Sequence, residues 1–512
     1  MAELTRRASL RAAVIVVAAG AAATTQSSRP AMAATPAQTV ALTHATVIDA
    51  TGAPPRPDTT VLITGERISM IGPSDRVPLP AGATVLDLTG KHVIPGLCDM
   101  HVHSIPSEEI APPLYLANGI TTVREMSGSP LLHQWRDRIE AETMLGPRMV
   151  IGSRIVDGEP TIGDPASFTV VDTETQARQA VRQAKAEGAD FVKVYSRLGD
   201  RAYRAVADEA RRLRIPFAGH CPDAVPLTTA SRAGQRSIEH LYSTWYATST
   251  QEAEIRHRLA RLTIAQGDYV TWLHEIHRLE WLAATTYSRR KAGKVFAALA
   301  RDHTHVVPTL SVYQVLDRPD EVDLTDERLR YVPAPLVAAW SWALENIIRA
   351  GRTSQESAQR EQLFERRLAF ADALRSSGVP VLAGTDGGDL PYVIPGFGLH
   401  DELALLVRSG FTPMQALQAA TSRPARLLGL HHSQGTVGLG KSADLVILNA
   451  DPLADIRNTM NIHAVVTRGR VISAEQRTRL LADVARAAAE QPEAHPAAAP
   501  RSHGCCPGLT LS

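Results

Sequence analysis

Cysteine is scarce, with four residues in 512, too few to hold a chain of this size together. Cys98 and Cys221 sit inside apolar, strand-like segments and read as core packing, while Cys505 and Cys506 lie in an Ala/Pro-rich tail with no identifiable partner. Neither sign of charge dominates: 54 Lys and Arg face 53 Asp and Glu. That balance excludes an extended basic field for nucleic acid and an acidic interaction tail. No apolar run reaches the ~20 residues that span a bilayer. What remains, 44% hydrophobic and 21% charged, is the composition of a globular, enzyme-sized protein that takes small or peptide-like substrates.

The most apolar stretch, residues 12–23, follows Thr5-Arg6-Arg7 and contains no acidic residue, the pattern of an export signal. Small residues in Ala31-Met32-Ala33 suit signal-peptidase cleavage, so residues 1–33 are expected to be removed, leaving an exported, periplasmic or secreted protein with no stable membrane anchor. The paired arginines also resemble a twin-arginine signal, a route for proteins folded before export.

Beyond the signal, residues 38–92 show short β-like runs broken by Gly and Pro, and the same texture returns at 431–478. Together they predict one small β-sandwich domain built from both chain ends. The middle, 93–430, alternates strand-length apolar runs with amphipathic helical stretches, the signature of parallel β/α units. Eight strands are expected at 93–101, 121–126, 149–156, 191–195, 216–221, 237–241, 306–310 and 381–386. This predicts an α/β (β/α)8 TIM barrel, with a doubly wound sheet as the alternative. Residues 242–304 exceed what one crossover needs and predict a helical insertion. Residues 479–512 are expected to run from helix into a disordered tail.

The residues that carry chemistry stand at the ends of these strands. Pro95-Gly96-Leu97-Cys98-Asp99-Met100-His101-Val102-His103 places two imidazoles at i and i+2, on one face of a strand, where they can reach one cation. By itself such a pair means little. Phe191-Val192-Lys193-Val194-Tyr195 sets a lysine inside an apolar strand, where burial favours the neutral amine, although a strand-end lysine can equally snorkel or pair. A neutral amine can add carbon dioxide and become an anionic carbamate. His220 ends Phe217-Ala218-Gly219-His220, His240 ends Ser237-Ile238-Glu239-His240, and Asp386 ends Leu382-Ala383-Gly384-Thr385-Asp386. Singly each has an ordinary structural reading. In a parallel barrel, however, catalytic groups gather at the C-terminal strand ends, and strands one, four, five, six and eight each end in a metal-capable group.

The ordered His-X-His, Lys, His, His, Asp set resembles the binuclear branch of the amidohydrolase superfamily, which includes imidazolonepropionase-related proteins, prolidase-like dipeptidases and ochratoxinase-like amidases. Val93-Ile94-Pro95-Gly96-Leu97, Gly119-Ile120-Thr121-Thr122-Val123-Arg124 and Leu399-His400-Asp401-Glu402-Leu403 extend the likeness over most of the chain. Position 125 is Glu where many relatives carry Asp. The resemblance implies two divalent ions, zinc foremost. His101, His103 and Asp386 would hold one, His220 and His240 the other, and Lys193, N6-carboxylated, would bridge them. It implies an activated water, with Asp386 as general acid and base and Tyr195 toward the developing oxyanion.

His400 is expected to face substrate, and Arg154 and Arg197 could pair with a substrate carboxylate. Trp245, Tyr246 and Trp272 are candidates for an apolar pocket wall. The leading expectation is hydrolysis of a dipeptide or an N-acyl amino acid. Lactone, ester or phosphotriester hydrolysis remains open on the same site, as does a noncatalytic, metal-free binding protein. The sequence also leaves a homo-oligomer open.

Overall fold

A computed structural model describes residues 38–388 and 390–491. The expected export signal, the Cys505-Cys506 pair and the tail past 491 lie outside the described residues. Both ends of the described chain contribute to one hydrogen-bonded sheet of eight strands. Thr39–Val47, Arg56–Thr64, Arg67–Pro73, Thr84–Asp87 and His92–Pro95 come from one end, and Leu445–Leu448, Ile462–Thr467 and Arg470–Ile472 from the other. His92–Pro95 joins the two halves, pairing antiparallel with Leu445–Leu448 and parallel with the end of the first strand. Bulges after Leu42 and Ala45 bend that first strand, so its beginning pairs with Thr84–Asp87 and its end with His92–Pro95. Leu42, Val61, Ile63, Val93, Ile447 and Val466 meet in the resulting apolar core.

The run 93–101, expected as a single strand, is two. His92–Pro95 belongs to the end sheet and Leu97–Val102 opens the middle region. Gly96 is the pivot, because a Cβ there would lie 2.1 Å from Thr121 Oγ1. A side chain would force the two strands apart, and only glycine permits this approach.

The middle region is α/β. Leu97–Val102, Ile120–Glu125 and Arg148–Ile151 form one parallel sheet. Val192–Val194, Phe217–Gly219, Ser237–Glu239 and His305–Val307 form most of another, also parallel. Parallel bridges Gly152–Phe191, Val306–Val381 and Val102–Gly387 connect strand edges at the remaining steps. The strands are short, and Val192–Val194, Phe217–Gly219 and Ser237–Glu239 are buried throughout, as in parallel sheets covered on both faces.

The crossover helices follow from their sequences. Glu174–Ala186 starts on a capping box between Thr173 and Gln176. Asp200–Leu213 buries Ala202, Tyr203, Val206 and Ala210 on one stripe and ends at Arg214 in the left-handed conformation. The 242–304 insertion is helical, comprising Tyr242–Thr248, Glu252–Arg261, Tyr269–Thr285 and Arg289–Arg301. A second helical block, unforeseen from sequence, separates His305–Val307 from Val381 and includes Leu310–Asp317, Ala334–Ala343 and Ser354–Ser376. No described helix is long and apolar enough to cross a membrane.

Candidate metal centre and active site

His101 and His103 leave the first central strand on the same side, as their spacing requires, and meet Asp386 from the last strand position of the middle region. His101 Nε2 stands 3.0 Å and His103 Nε2 3.3 Å from Asp386 Oδ1, with His240 Nε2 3.8 Å from Oδ2. All four residues are buried. The His220 ring lies 4.9 Å from that of His240, which in turn lies 5.2 Å from that of His101. The structure thus gathers imidazoles from strands one, five and six around a carboxylate from the eighth.

Two residues of the site carry backbone strain. His240 and Asp386 adopt left-handed backbone, with φ of 64° and 59°. Such a conformation costs a non-glycine residue about 1–2 kcal/mol, and main-chain bonds hold it. The Asp386 amide donates to His101 O at 2.7 Å, and the His240 amide donates to Val307 O at 2.8 Å.

Three imidazoles are oriented in the same way. His101 Nδ1 pairs with Glu239 Oε2 at 3.0 Å, His220 Nδ1 with Ser196 Oγ at 2.7 Å, and His240 Nδ1 with Thr309 Oγ1 at 2.8 Å. Anchoring Nδ1 fixes each ring and leaves Nε2 to act as ligand. Glu239 is itself held by Arg124, whose Nη2 donates to Oε1 at 2.9 Å. Asp99 performs a related task for the last strand, accepting from the Thr385 amide at 3.0 Å and its hydroxyl at 2.7 Å.

The electrostatics agree with a cation site. Burial disfavours a charged Asp386, yet His101 and His103 outweigh it and hold the carboxyl well below its usual range. For Glu239, burial is likewise outweighed, here by Arg124 and His101, and the group falls to about 2. Burial, reinforced by the charge of His240 and Lys193, drives His220 far below the ordinary histidine value. Burial also brings His240 down to about 3 against the pull of Asp386. Neutral His220 and His240 beside an ionised Asp386 are in the donor states that divalent metals need.

Two further atoms test the fit. Lys193 Nζ and His220 Nε2 are buried and make no hydrogen bond among the described residues. An isolated polar atom in such a position is costly, and a ligand role accounts for both. Gly219 makes room for the lysine stem, since a Cβ there would come within 3.0 Å of Lys193 Cδ. The donor set therefore fits divalent metal.

Tyr195 is buried and stacks on His220, with ring centroids 4.1 Å apart. It lines a cavity with His220, His240 and Asp386, to which Tyr242 and Trp272 also contribute. Trp245 instead stacks on Phe370 at 4.1 Å, in the helical packing.

His400 corrects the sequence expectation. It is buried in helix Phe397–Arg408, its Nδ1 paired with Thr459 Oγ1 at 2.9 Å and its Nε2 with Asn118 O at 3.1 Å. With both ring nitrogens engaged, it ties this helix to the end of the sheet and has no polar atom to offer a substrate. Arg154 is likewise bound to loop carbonyls of Ser167 and Phe168, and Arg197 to Asp223. Sequence reading missed the anchors Glu239, Ser196 and Thr309. For Glu239 a signal exists, an acidic residue directly before a candidate ligand at a strand end; for the two hydroxyl residues there is none.

The sequence model described as "Amidohydrolase family" matches residues 92–472. The chain belongs to the amidohydrolase family. An imidazolonepropionase of Pseudomonas entomophila (strain L48) is 23% identical over 425 residues, covering 78% of this chain and 89% of that protein. Curated relatives matched at 35% to 38% identity are covered over only 22% to 31% of their length. Among solved structures, bottromycin amidohydrolase superposes with a TM-score of 0.68 at 24% identity, covering 88% of this chain and 90% of that one. A Xaa-Pro dipeptidase with bound methionine gives 0.61 at 20% identity, covering 85% and 100%. At these identities the structural likeness speaks to fold, a barrel with a sheet domain in those neighbours. As an amidohydrolase family member the chain is a hydrolase, from a family that is generally metal-dependent, and it carries a candidate His-His-Asp site.

Proposed function

We propose that this amidohydrolase cleaves the amide bond of a dipeptide or an N-acyl amino acid at a two-metal centre set in a closed (β/α)8 barrel. His101, His103 and Asp386 would hold one ion and His220 and His240 the other, with zinc the metal these imidazole-rich donors suit. Lys193 would bridge them as its N6-carbamate, formed when the neutral amine bonds to the carbon of carbon dioxide and releases a proton. When bound, two divalent ions lower the pKa of a shared water and polarise a carbonyl.

The chain's own residues account for the rest. Asp386, held ionised, accepts the proton of the attacking water and returns it to the leaving nitrogen. The Nδ1 anchors keep the imidazoles from turning as charge develops. Tyr195, packed on His220, would turn its hydroxyl to the oxyanion, and Trp272 would help exclude water from the cavity. The export signal expected at 1–33 would carry this activity outside the cytoplasm. The observation that supports the reading most is the convergence of His101, His103 and His240 on one buried carboxylate beside two buried, unbonded nitrogens.

Hydrolysis of a panel of dipeptides and N-acyl amino acids, run beside lactones, esters and phosphotriesters, tests it. Amide cleavage abolished by chelator and restored by zinc is expected. Turnover confined to the ester or phosphotriester arm would refute the amide assignment.

A further inference from the structure

A second cavity lies among the helical insertions, where Tyr269–Thr285 packs near Ser354–Ser376. Its wall includes Arg352, Arg360, His274 and His277, with Glu356 as the acidic member. The arginines are poorly compensated. Arg352 makes no ion pair among the described residues; its Nη2 donates to Leu316 O at 2.6 Å, and its buried Nε and Nη1 make no hydrogen bond. Arg360 Nη1 is also buried without a hydrogen bond, and its nearest carboxylate oxygen, Asp317 Oδ1, is 3.9 Å away.

The neighbouring acids compensate only in part: Asp317 Oδ1 faces Arg360 at 3.9 Å without a hydrogen bond, and the other oxygens are engaged elsewhere. Asp317 Oδ2 accepts from Arg367 Nε at 2.7 Å, and both oxygens of Glu280 accept from the same guanidinium at 2.6 and 2.8 Å. Glu356 caps its own helix by accepting from the Thr353 amide at 3.0 Å. Burial, then repulsion from Arg360, lowers Arg352 to about 10, and Arg360 is lowered by burial against the pull of Asp317. His277, only 6% exposed, presents a buried Nδ1 with no hydrogen bond. The same histidine, with Leu273 and Leu316, also lines the cavity that holds His220, His240 and Asp386. The two cavities therefore share a wall.

We infer that the Arg352–Arg360 cavity is an anion subsite adjoining the reaction cavity and that it receives a carboxylate. Guanidinium N–H groups match a carboxylate in geometry, and the imidazole of His277 adds a further polar contact. A singly charged carboxylate suits the pocket better than a phosphate dianion, because the acidic Glu356 shares its wall. Resting on the amide-hydrolase reading, the substrate it selects is an amide with an acidic group distal to the scissile bond. The same chemistry also admits a free carboxylate that binds beside the site.

Calorimetric titration of the zinc-loaded full chain with succinate tests the pocket without requiring turnover. Binding is expected to weaken at least ~10-fold in both Arg352→Gln and Arg360→Gln, the loss of one charge-assisted contact, with metal content unchanged. Arg352→Lys, which keeps the charge, should retain part of the affinity, and thermal melting checks that each variant is folded. Kinetics then identify the source. If the carboxylate is the substrate's, each Gln variant raises KM about 10-fold for N-acetylglutamyl amides and leaves kcat and the matched N-acetylglutaminyl amides unmoved. Arginine-dependent succinate binding with unchanged KM assigns the pocket to a free carboxylate. Succinate affinity that is absent, or equal in wild type and folded Gln variants, would overturn the subsite. A protein that binds succinate through these arginines but hydrolyses no amide leaves the pocket standing and removes the amide-hydrolase reading instead.

Discussion

Asp386 touches three imidazoles from two strands and is kept ionised in a buried site, so the chemistry concentrates on one side chain. Asp386→Asn preserves its shape but removes the base. Turnover should fall at least ~100-fold while folding and most metal binding survive, as measured by steady-state kinetics beside metal content. Near-normal turnover would remove Asp386 from the mechanism. The metal-capable residues were legible in the sequence because strand periodicity and chain order constrain them: His101 and His103 by spacing, the others by ending successive strands. Their anchors were not. Thr309 and Ser196 sit in ordinary sequence surroundings and acquire their roles only when distant strands bring them to an imidazole. His400 was misread for a related reason. A histidine just beyond the loop-like stretch 387–398 suggests substrate contact, and only its partners Thr459 and Asn118 reveal a structural role.

The helical insertions bring a different kind of side chain into the interior. Arg367 is fully buried on Ser354–Ser376, over the Tyr313 ring at 3.6 Å, and joins Glu280 of one insertion to Asp317 of the other. Removing the cation leaves two carboxylates buried together. Arg367→Ala should therefore destabilise the protein by about 3–5 kcal/mol, read by denaturant unfolding, with metal content unchanged in the folded fraction. A loss under about 1 kcal/mol would show that the triad does not join these elements. The first insertion was visible as excess length between strands. The second, from 310 to 376, is just as long, and the same length argument applied there would have found it. The strand split at Gly96 was hidden, since Val93-Ile94-Pro95-Gly96-Leu97 is continuously apolar and only pairing to different sheets separates its halves.

At the scale of the molecule, several carboxyls are buried within the fold, and this sets its pH dependence. Burial pushes Asp157 and Glu402 up to about 7, against the hydrogen bonds that each accepts. In the unfolded chain such groups titrate near about 4, so between those values the folded protein holds protons that the unfolded chain releases. This contribution to stability is present at low pH and is lost as pH rises through about 7. Buried histidines such as His220 and His240 pull the other way, so the test is a comparison: Asp157→Asn, which stays neutral, should make melting temperature fall less, or rise more, between about pH 4 and 7 than in the wild type. An unchanged slope in the variant would show that Asp157 titrates normally in the folded state. The joining of both chain ends in one sheet was legible from their shared texture, and the α/β middle from its alternation, because each is a periodic property of the sequence.

The account stands most directly on metal content. Elemental analysis of the protein from about residue 34 onward, purified without chelator, should give about two divalent ions per chain, and Lys193→Ala should lower that number. A single ion, unaffected by Lys193→Ala, would contradict the lysine bridge. No bound metal, and none taken up from added zinc, would contradict the hydrolytic centre itself.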